Sequence, residues 1–157
     1  MPVEPEVLAE AKAAIGLTSP VRRADITLRD FRRFSIATGD KNPLWRDDEY
    51  AKEAGYEGIV TPPLFLPTAP PTDDLDQLDH TGLGNNMGPH IQVPARGFPR
   101  VVAGGRELEY GVPMRPGDTI SSVETVMDVY EKEGRSGPMI FIISETLYTN
   151  QREEVVL

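Results

Sequence analysis

The 157-residue sequence contains no cysteine and only two histidines. A chain without cysteine has no disulfide framework and no thiolate metal ligands, and it suits a cytoplasmic protein. His80 and His90 lie ten residues apart, without the cluster of further ligands that a zinc site needs. The sequence therefore predicts neither a bound metal nor any other cofactor.

Long apolar runs and an excess of basic residues are also missing. No stretch approaches the roughly 20 apolar residues that cross a bilayer, so we expect no membrane partner. The formal net charge is −9, whereas nucleic-acid binding requires a basic surface. A phosphate-binding loop, a dinucleotide fingerprint and a Gly-x-Ser-x-Gly nucleophile motif are absent as well. These absences argue against nucleic acid and membranes as partners.

The length fits one domain, which we place at residues 1–157. The Ala- and Glu-rich residues 4–15 predict an N-terminal helix, added as an extension and stopped by Gly16. VRRADIT (21–27) predicts a short strand. Thr27 and Asp30 form a capping box that opens a second helix, and a short helix is expected at 47–54. The second helix ends at Gly39, and its inward candidates are Leu28, Phe31, Phe34 and Ile36.

The second half is rich in β-branched and aromatic residues, which predicts strands. Its runs are RELEYGVP (106–113), DTISSVETVMDVYEKE (118–133) and GPMIFIISETLYTNQ (137–151), separated by the turns RPGD and GRSGP. EEVVL (153–157) reads as one more strand that is cut short. Helices followed by an antiparallel sheet indicate an α+β fold.

The stretch TGDKNPLWRD (38–47) follows directly on the predicted end of the second helix. Asp40 and Asn42, next to glycine and proline, are typical of turns in which the side chain binds nearby backbone N–H groups. The same residues could display a carboxylate for catalysis. The local pattern alone leaves both interpretations open.

Three segments together resemble one family. TGDKNPLWRDDEYAKEAGYEGIVTPP (38–63), AGGRELEYGVPMRPGDTI (103–120) and VYEKEGRSGPMIFIISETLYTNQ (129–151) are similar to MaoC-like dehydratases, in particular their N-terminal, fatty-acid-synthase-type branch. The resemblance implies a hotdog fold, a curved antiparallel sheet wrapped around a central helix. It also implies pairing with a second hotdog as a homodimer or heterodimer, and reversible hydration of an enoyl thioester carried by coenzyme A or acyl carrier protein.

The family's catalytic motif Asp-x-Asn-Pro-x-His-x-Asp falls on Asp40, Asn42, Pro43 and Asp47, but its histidine position holds Trp45. An indole N–H donates a hydrogen bond and cannot act as a base near neutral pH. Losing general acid–base assistance lowers a rate by about 10²–10⁴-fold. The resemblance therefore implies a degenerate catalytic site at Asp40 and Asn42, in a subunit that works with a catalytically complete hotdog partner.

Three alternatives stay open. His80 or His90 could fold back and replace the missing imidazole. The chain could be a non-enzymatic hotdog that binds acyl thioesters or only assembles with another protein. A hotdog thioesterase is the third, although the loop motif resembles hydratases.

Substrate-binding candidates lie in three segments. Trp45 could line an acyl tunnel or simply pack, and Thr61 could open a helix whose N–H groups stabilise the thioester oxygen. Gly104 and Gly105 could let a thioester approach a strand backbone, or mark a β-bulge. Arginines that could bind the coenzyme A phosphates, or could be solvated surface residues, are Arg96, Arg100, Arg106 and Arg115.

Overall fold

The computed structural model describes residues 2–65 and 91–157. Within these residues, one three-stranded sheet has the order β1 (Arg22–Asp25), β2 (Thr119–Gly134) and β3 (Gly137–Thr149), with β1 and β2 antiparallel. A connection of two residues joins β2 to β3, which makes that pair antiparallel too. The elements are helices α1 (Pro5–Lys12), α2 (Leu28–Thr38) and α3 (Asp48–Glu53), a 3₁₀ turn (Pro43–Trp45), and strands β1 (Arg22–Asp25), β2 (Thr119–Gly134) and β3 (Gly137–Thr149).

Helix α2 begins and ends as its sequence predicts. The Asp30 N–H donates to the Thr27 hydroxyl at 3.3 Å, and the Thr27 N–H donates to Asp30 Oδ2 at 2.8 Å. Gly39 ends the helix in the left-handed conformation, with φ of 71°, where a glycine meets no steric penalty. Phe31 is fully buried, whereas Ile36 is 81% exposed, so its predicted inward position is wrong. Five residues rotate a side chain by about 140° away from Phe31 around the helix axis.

The described residues divide into two compact units. The first comprises residues 2–21, 91–107 and 123–147, and its core consists of Ala11, Ile91, Val126 and Val129. The second comprises residues 22–65, 108–122 and 148–157. Its core consists of Ala24, Ile26, Phe31, Met114, Ile120, Val156 and Leu157. The assignment of residues 1–157 to a single domain stays a prediction.

Two predicted strands are wrong. RELEYGVP (106–113) forms no regular strand, and among the described residues only two of its residues pair through the backbone: Gly111 N–H donates to Val156 O at 3.2 Å and Val112 N–H to Val155 O at 2.9 Å. EEVVL forms only an isolated bridge between Val155 and Thr149. Among the described residues, the backbone pairing of each segment is confined to a few positions and does not extend into a regular ladder.

The expected helix start at Thr61 is also wrong within residues 61–65. The chain turns there instead, with Phe65 N–H donating to Pro62 O at 3.2 Å. Leu64 has a φ of 64°, which a right-handed helix cannot accommodate. Within the two described stretches, no helix is long and apolar enough to cross a membrane.

Candidate functional site

The loop after α2 is organised by the Asp40 carboxylate. Its Oδ1 accepts a hydrogen bond from the Asn42 N–H at 3.0 Å, and its Oδ2 accepts one from Trp45 Nε1 at 2.8 Å. Asn42 Oδ1 in turn accepts from the Leu44 N–H at 3.0 Å and thereby caps the 3₁₀ turn. Both side chains therefore hold the turn in the way that Asp and Asn commonly do.

Trp45 is the only tryptophan of the chain and is 8% exposed. A buried indole N–H needs an acceptor, because leaving it without one costs about 1–3 kcal/mol. Asp40 is that acceptor. The buried indole N–H of Trp45 is thus satisfied by Asp40, but the indole brings no basic nitrogen.

Asp40 has no imidazole neighbour among the described residues, since His80 and His90 both lie outside 2–65 and 91–157. Whether either histidine approaches Asp40 therefore stays open. Within the part of the chain that the structure describes, the loop can accept hydrogen bonds and position an aromatic ring. It shows no pair of groups that could transfer a proton to and from a water molecule.

A cavity of about 240 Å³ lies against Trp45 within the second unit. Its floor consists of the buried residues Trp45, Val60, Met114 and Val156, whereas exposed side chains such as Tyr110 form its rim. Its lining residues, none of them charged, are Trp45, Tyr56, Val60, Thr61, Pro63, Tyr110, Gly111, Val112, Pro113, Met114 and Val156.

Thr61 lies at this cavity, as a substrate-binding residue should, but its predicted part in an oxyanion site loses its support. Its N–H donates to Met114 O at 3.0 Å, and its hydroxyl donates to Pro62 O at 3.3 Å. No helix begins at Thr61 that would direct free N–H groups at a thioester. Of the predicted binding residues, the structure brings Trp45 and Thr61 together.

The remaining candidates, except Arg115, belong to the first unit. Arg96 lies 3.5 Å from Glu10 in an exposed ion pair, while Arg100 and Arg106 are exposed. Gly104 and Gly105 lie in a stretch without regular strand structure. In the second unit Arg115 pairs with Glu57. The proposed roles of these residues in binding a thioester stay predictions.

The cavity contains residues that the sequence interpretation missed. Tyr56, Tyr110, Met114 and Val156 are separated by up to a hundred positions along the chain. They meet because residues 111–112 pair with residues 155–156. No periodic pattern or motif in the sequence predicts such a long-range pairing. The only local indication of this pairing is Gly111, because a residue without a side chain permits the close approach of the Val155 backbone.

The pKa changes around the loop belong to an exposed ion pair. The hydrogen bond from Lys52 lowers the pKa of Asp48 below its usual value, and the same bond raises the pKa of Lys52. Both side chains are more than half exposed. This pair lies on the surface of α3, and neither of its residues lines the cavity.

Comparisons with known proteins identify the family of this chain. Residues 13–157 match the family described as the FAS1-like dehydratase domain region. A Thermobifida fusca protein named UPF0336 protein is 33% identical over 84% of this chain and 78% of its own length. The 3-oxo-4,17-pregnadiene-20-carboxyl-CoA hydratase alpha subunit of Mycobacterium tuberculosis is 28% identical over 93% of this chain, which spans only 44% of that subunit.

A solved structure gives the fold. The crystal structure of the ChsH1-ChsH2 complex from Mycobacterium tuberculosis superposes with a TM-score of 0.72 at 27% identity, covering 96% of this chain and 84% of the matched one. The predicted α+β hotdog fold and the predicted family are thereby confirmed. The chain belongs to the FAS1-like dehydratase family and has the hotdog fold of the MaoC-like dehydratases.

Proposed function

We propose that this chain is a subunit of an enoyl-thioester hydratase, or 3-hydroxyacyl-thioester dehydratase, that acts on acyl groups carried by coenzyme A or acyl carrier protein. It works with a second hotdog subunit that supplies a complete catalytic pair. Family membership supports the reaction class. A relative named as a hydratase alpha subunit, and a similar structure that is a complex of two proteins, support the role of a subunit.

The observation that carries the proposal is the contact between Asp40 and Trp45. Hydration requires a base that takes a proton from water and an acid that delivers one to the α-carbon. An indole can do neither near neutral pH. Asp40 and Asn42 thus form a degenerate site, in which Asp40 holds two N–H groups of its own loop.

The substrate-binding roles are part of the same proposal. Trp45 and Thr61 contact the acyl portion in the cavity that both residues line. Gly104 and Gly105 give backbone access, and Arg96, Arg100 and Arg106 bind the phosphates of the carrier. The exposure of these arginines leaves their guanidinium groups accessible to an anionic ligand.

A panel of enoyl-coenzyme A thioesters tests the proposal, assayed first with the purified chain and then with the hotdog subunit that co-purifies with it. We expect hydration only when both subunits are present. Turnover by the chain alone would contradict the degenerate site and would make His80 and His90 the next residues to replace.

Replacing Trp45 tests whether the site is inactive because it lacks a histidine. Trp45→His returns an imidazole to a position beside Asp40, and we expect it to give the lone chain measurable hydration. Trp45→Phe is the matched control, because it also removes the indole N–H but supplies no base. Equal inactivity of the two folded variants would count against a site that only lacks its histidine.

A second candidate is a non-enzymatic hotdog that binds acyl thioesters. The hydrogen bonds around Asp40 favour it, since both carboxylate oxygens of Asp40 and the Oδ1 of Asn42 accept from N–H groups of the loop itself. Binding of a thioester together with complete inactivity, alone and with the co-purified subunit, would favour this candidate over the hydratase subunit.

A further inference from the structure

The cavity against Trp45 has the chemistry of a site for a hydrocarbon group. Met114 is 1% exposed, Val156 2% and Val60 4%, and together with the indole of Trp45 they give an apolar floor. None of the described side chains that line it carries a charge. A charged or strongly hydrated group would lose its water there without compensation, whereas an apolar group gains about 0.8 kcal/mol per buried methylene.

The size of the cavity limits the group that it can take. An apolar cavity of about 150 Å³ takes up one benzene molecule, so the 240 Å³ found here accommodates roughly nine carbon atoms at the same packing. An acetyl group would leave most of the cavity unfilled. A medium-length acyl chain or a fused ring would fill it.

The position of the indole depends on Asp40. The bond from Trp45 Nε1 to Asp40 Oδ2 fixes the ring, and the bond from the Asn42 N–H fixes the carboxylate. The 3₁₀ turn gives the backbone of Trp45 a defined place, because Asn42 caps it. The carboxylate that falls on the aspartate of the family's catalytic motif therefore orients an aromatic wall of the cavity.

We infer that this cavity binds the apolar tail of an acyl thioester of about eight carbon atoms, and that Asp40 is a positioning residue that holds Trp45 as its wall. The inference rests on the proposed function for the thioester, and it adds the length of the tail and the part played by Asp40. Binding of a saturated thioester involves no hydration, so it can succeed where the proposed activity fails.

Tryptophan fluorescence tests this inference directly, because the chain contains one tryptophan and it lines the cavity. The probes are octanoyl-coenzyme A and acetyl-coenzyme A, which share their head group and their absorbance. We expect octanoyl-coenzyme A to change the emission of Trp45 and, because its chain is six methylenes longer, to bind on the order of a thousandfold more tightly. Equal responses to the two probes, or no response to either, would overturn the inference.

A pair of variants separates positioning from general stability. In Asp40→Asn the side-chain amide N–H faces one of the two N–H donors, Asn42 N–H or Trp45 Nε1–H, that the carboxylate now accepts from. We therefore expect a red-shifted Trp45 emission and about tenfold weaker binding of octanoyl-coenzyme A. Asp48→Asn is the matched control, since that exposed carboxylate contacts Lys52 and lies outside the cavity lining. Unchanged emission and affinity in folded Asp40→Asn would overturn the role of Asp40.

A cavity-filling variant keeps the test decisive if Asp40→Asn fails to fold. Val112 lines the cavity and is 37% exposed, so a larger side chain can be accommodated without disturbing the core. Val112→Phe should abolish the preference for octanoyl- over acetyl-coenzyme A and leave the fold intact. Retention of the full preference in this variant would place the tail elsewhere and overturn the inference.

Discussion

The loop at residues 38–47 and the segment at residues 101–113 differ in the range of their contacts. In the loop, Asp40, Asn42 and Trp45 bond to one another or to neighbours no more than five positions away. In the segment, Val101 and Val102 are more than 80% exposed, and the backbone bonds of Gly111 and Val112 reach residues 155 and 156.

This difference explains which parts of the structure can be predicted from the sequence. A turn composed of Asp, Asn, Gly and Pro contains its own hydrogen-bond partners, so its conformation follows from a few adjacent residues. A strand needs a partner strand, and residues 106–113 have β-rich composition but pair at only two positions among the described residues. A high β-propensity does not by itself produce a hydrogen-bonded ladder when no partner strand is present.

The largest effect is expected where the long-range pairing is closest. A Cβ added at Gly111 would lie 2.0 Å from the Val155 carbonyl oxygen, which is backbone and cannot move aside cheaply. We expect Gly111→Ala to lower the free energy of unfolding by about 3 kcal/mol, measured as a shift in the urea midpoint. Gly105→Ala is the control, because nothing lies within 4 Å of its added Cβ. Equal stability of the two variants would contradict the close pairing.

The next effect concerns the hydrogen bonds inside the loop. Asp40→Ala leaves the Trp45 indole N–H and the Asn42 N–H without acceptors, so we expect a loss of about 2 kcal/mol in the free energy of unfolding. A double-mutant cycle with Trp45→Phe should give a coupling of about 1 kcal/mol, since phenylalanine needs no acceptor. Strict additivity of the two changes would show that the indole bond contributes nothing to stability.

A smaller loss is expected at the start of α2, another region whose contacts are local. Thr27→Ala removes the hydroxyl that accepts from the Asp30 N–H, and loss of an N-cap costs about 1 kcal/mol. Thermal and urea unfolding measure it. Thr27→Ser keeps the hydroxyl and should remain close to the original stability; a serine variant as unstable as the alanine variant would exclude the cap as the cause.

The smallest effect is expected for the ion pair between Asp48 and Lys52. Because the pKa of Asp48 is lowered in the folded chain, its contribution is present above the unfolded pKa and is lost as the pH falls through the lowered value. Both groups are exposed, and pairs of this kind contribute little. Lys52→Met should therefore leave the unfolding midpoint unchanged at neutral pH, and a clear destabilisation there would contradict this ranking.

The sequence predicted the capping box and the Gly39 stop of α2, the β2–β3 hairpin and the hotdog family, all of which depend on adjacent residues or on motifs. The predicted stop of the first helix at Gly16 is wrong, because α1 already ends at Lys12. It did not predict the turn at residues 61–65, which depends on the positive φ of Leu64. It also missed Tyr56, Tyr110 and Met114 as cavity residues. Their meeting depends on tertiary packing, which no local pattern encodes.

The most direct test of the account is the kinetics of Asp40→Asn on a medium-chain enoyl-coenzyme A, in the proposed complex of this chain with a second hotdog subunit. A positioning role for Asp40 predicts a raised KM with kcat nearly unchanged, because the wall of the acyl site is disturbed and the chemistry is not. A fall in kcat of about 10²–10⁴-fold would show that Asp40 acts in proton transfer and would contradict the account.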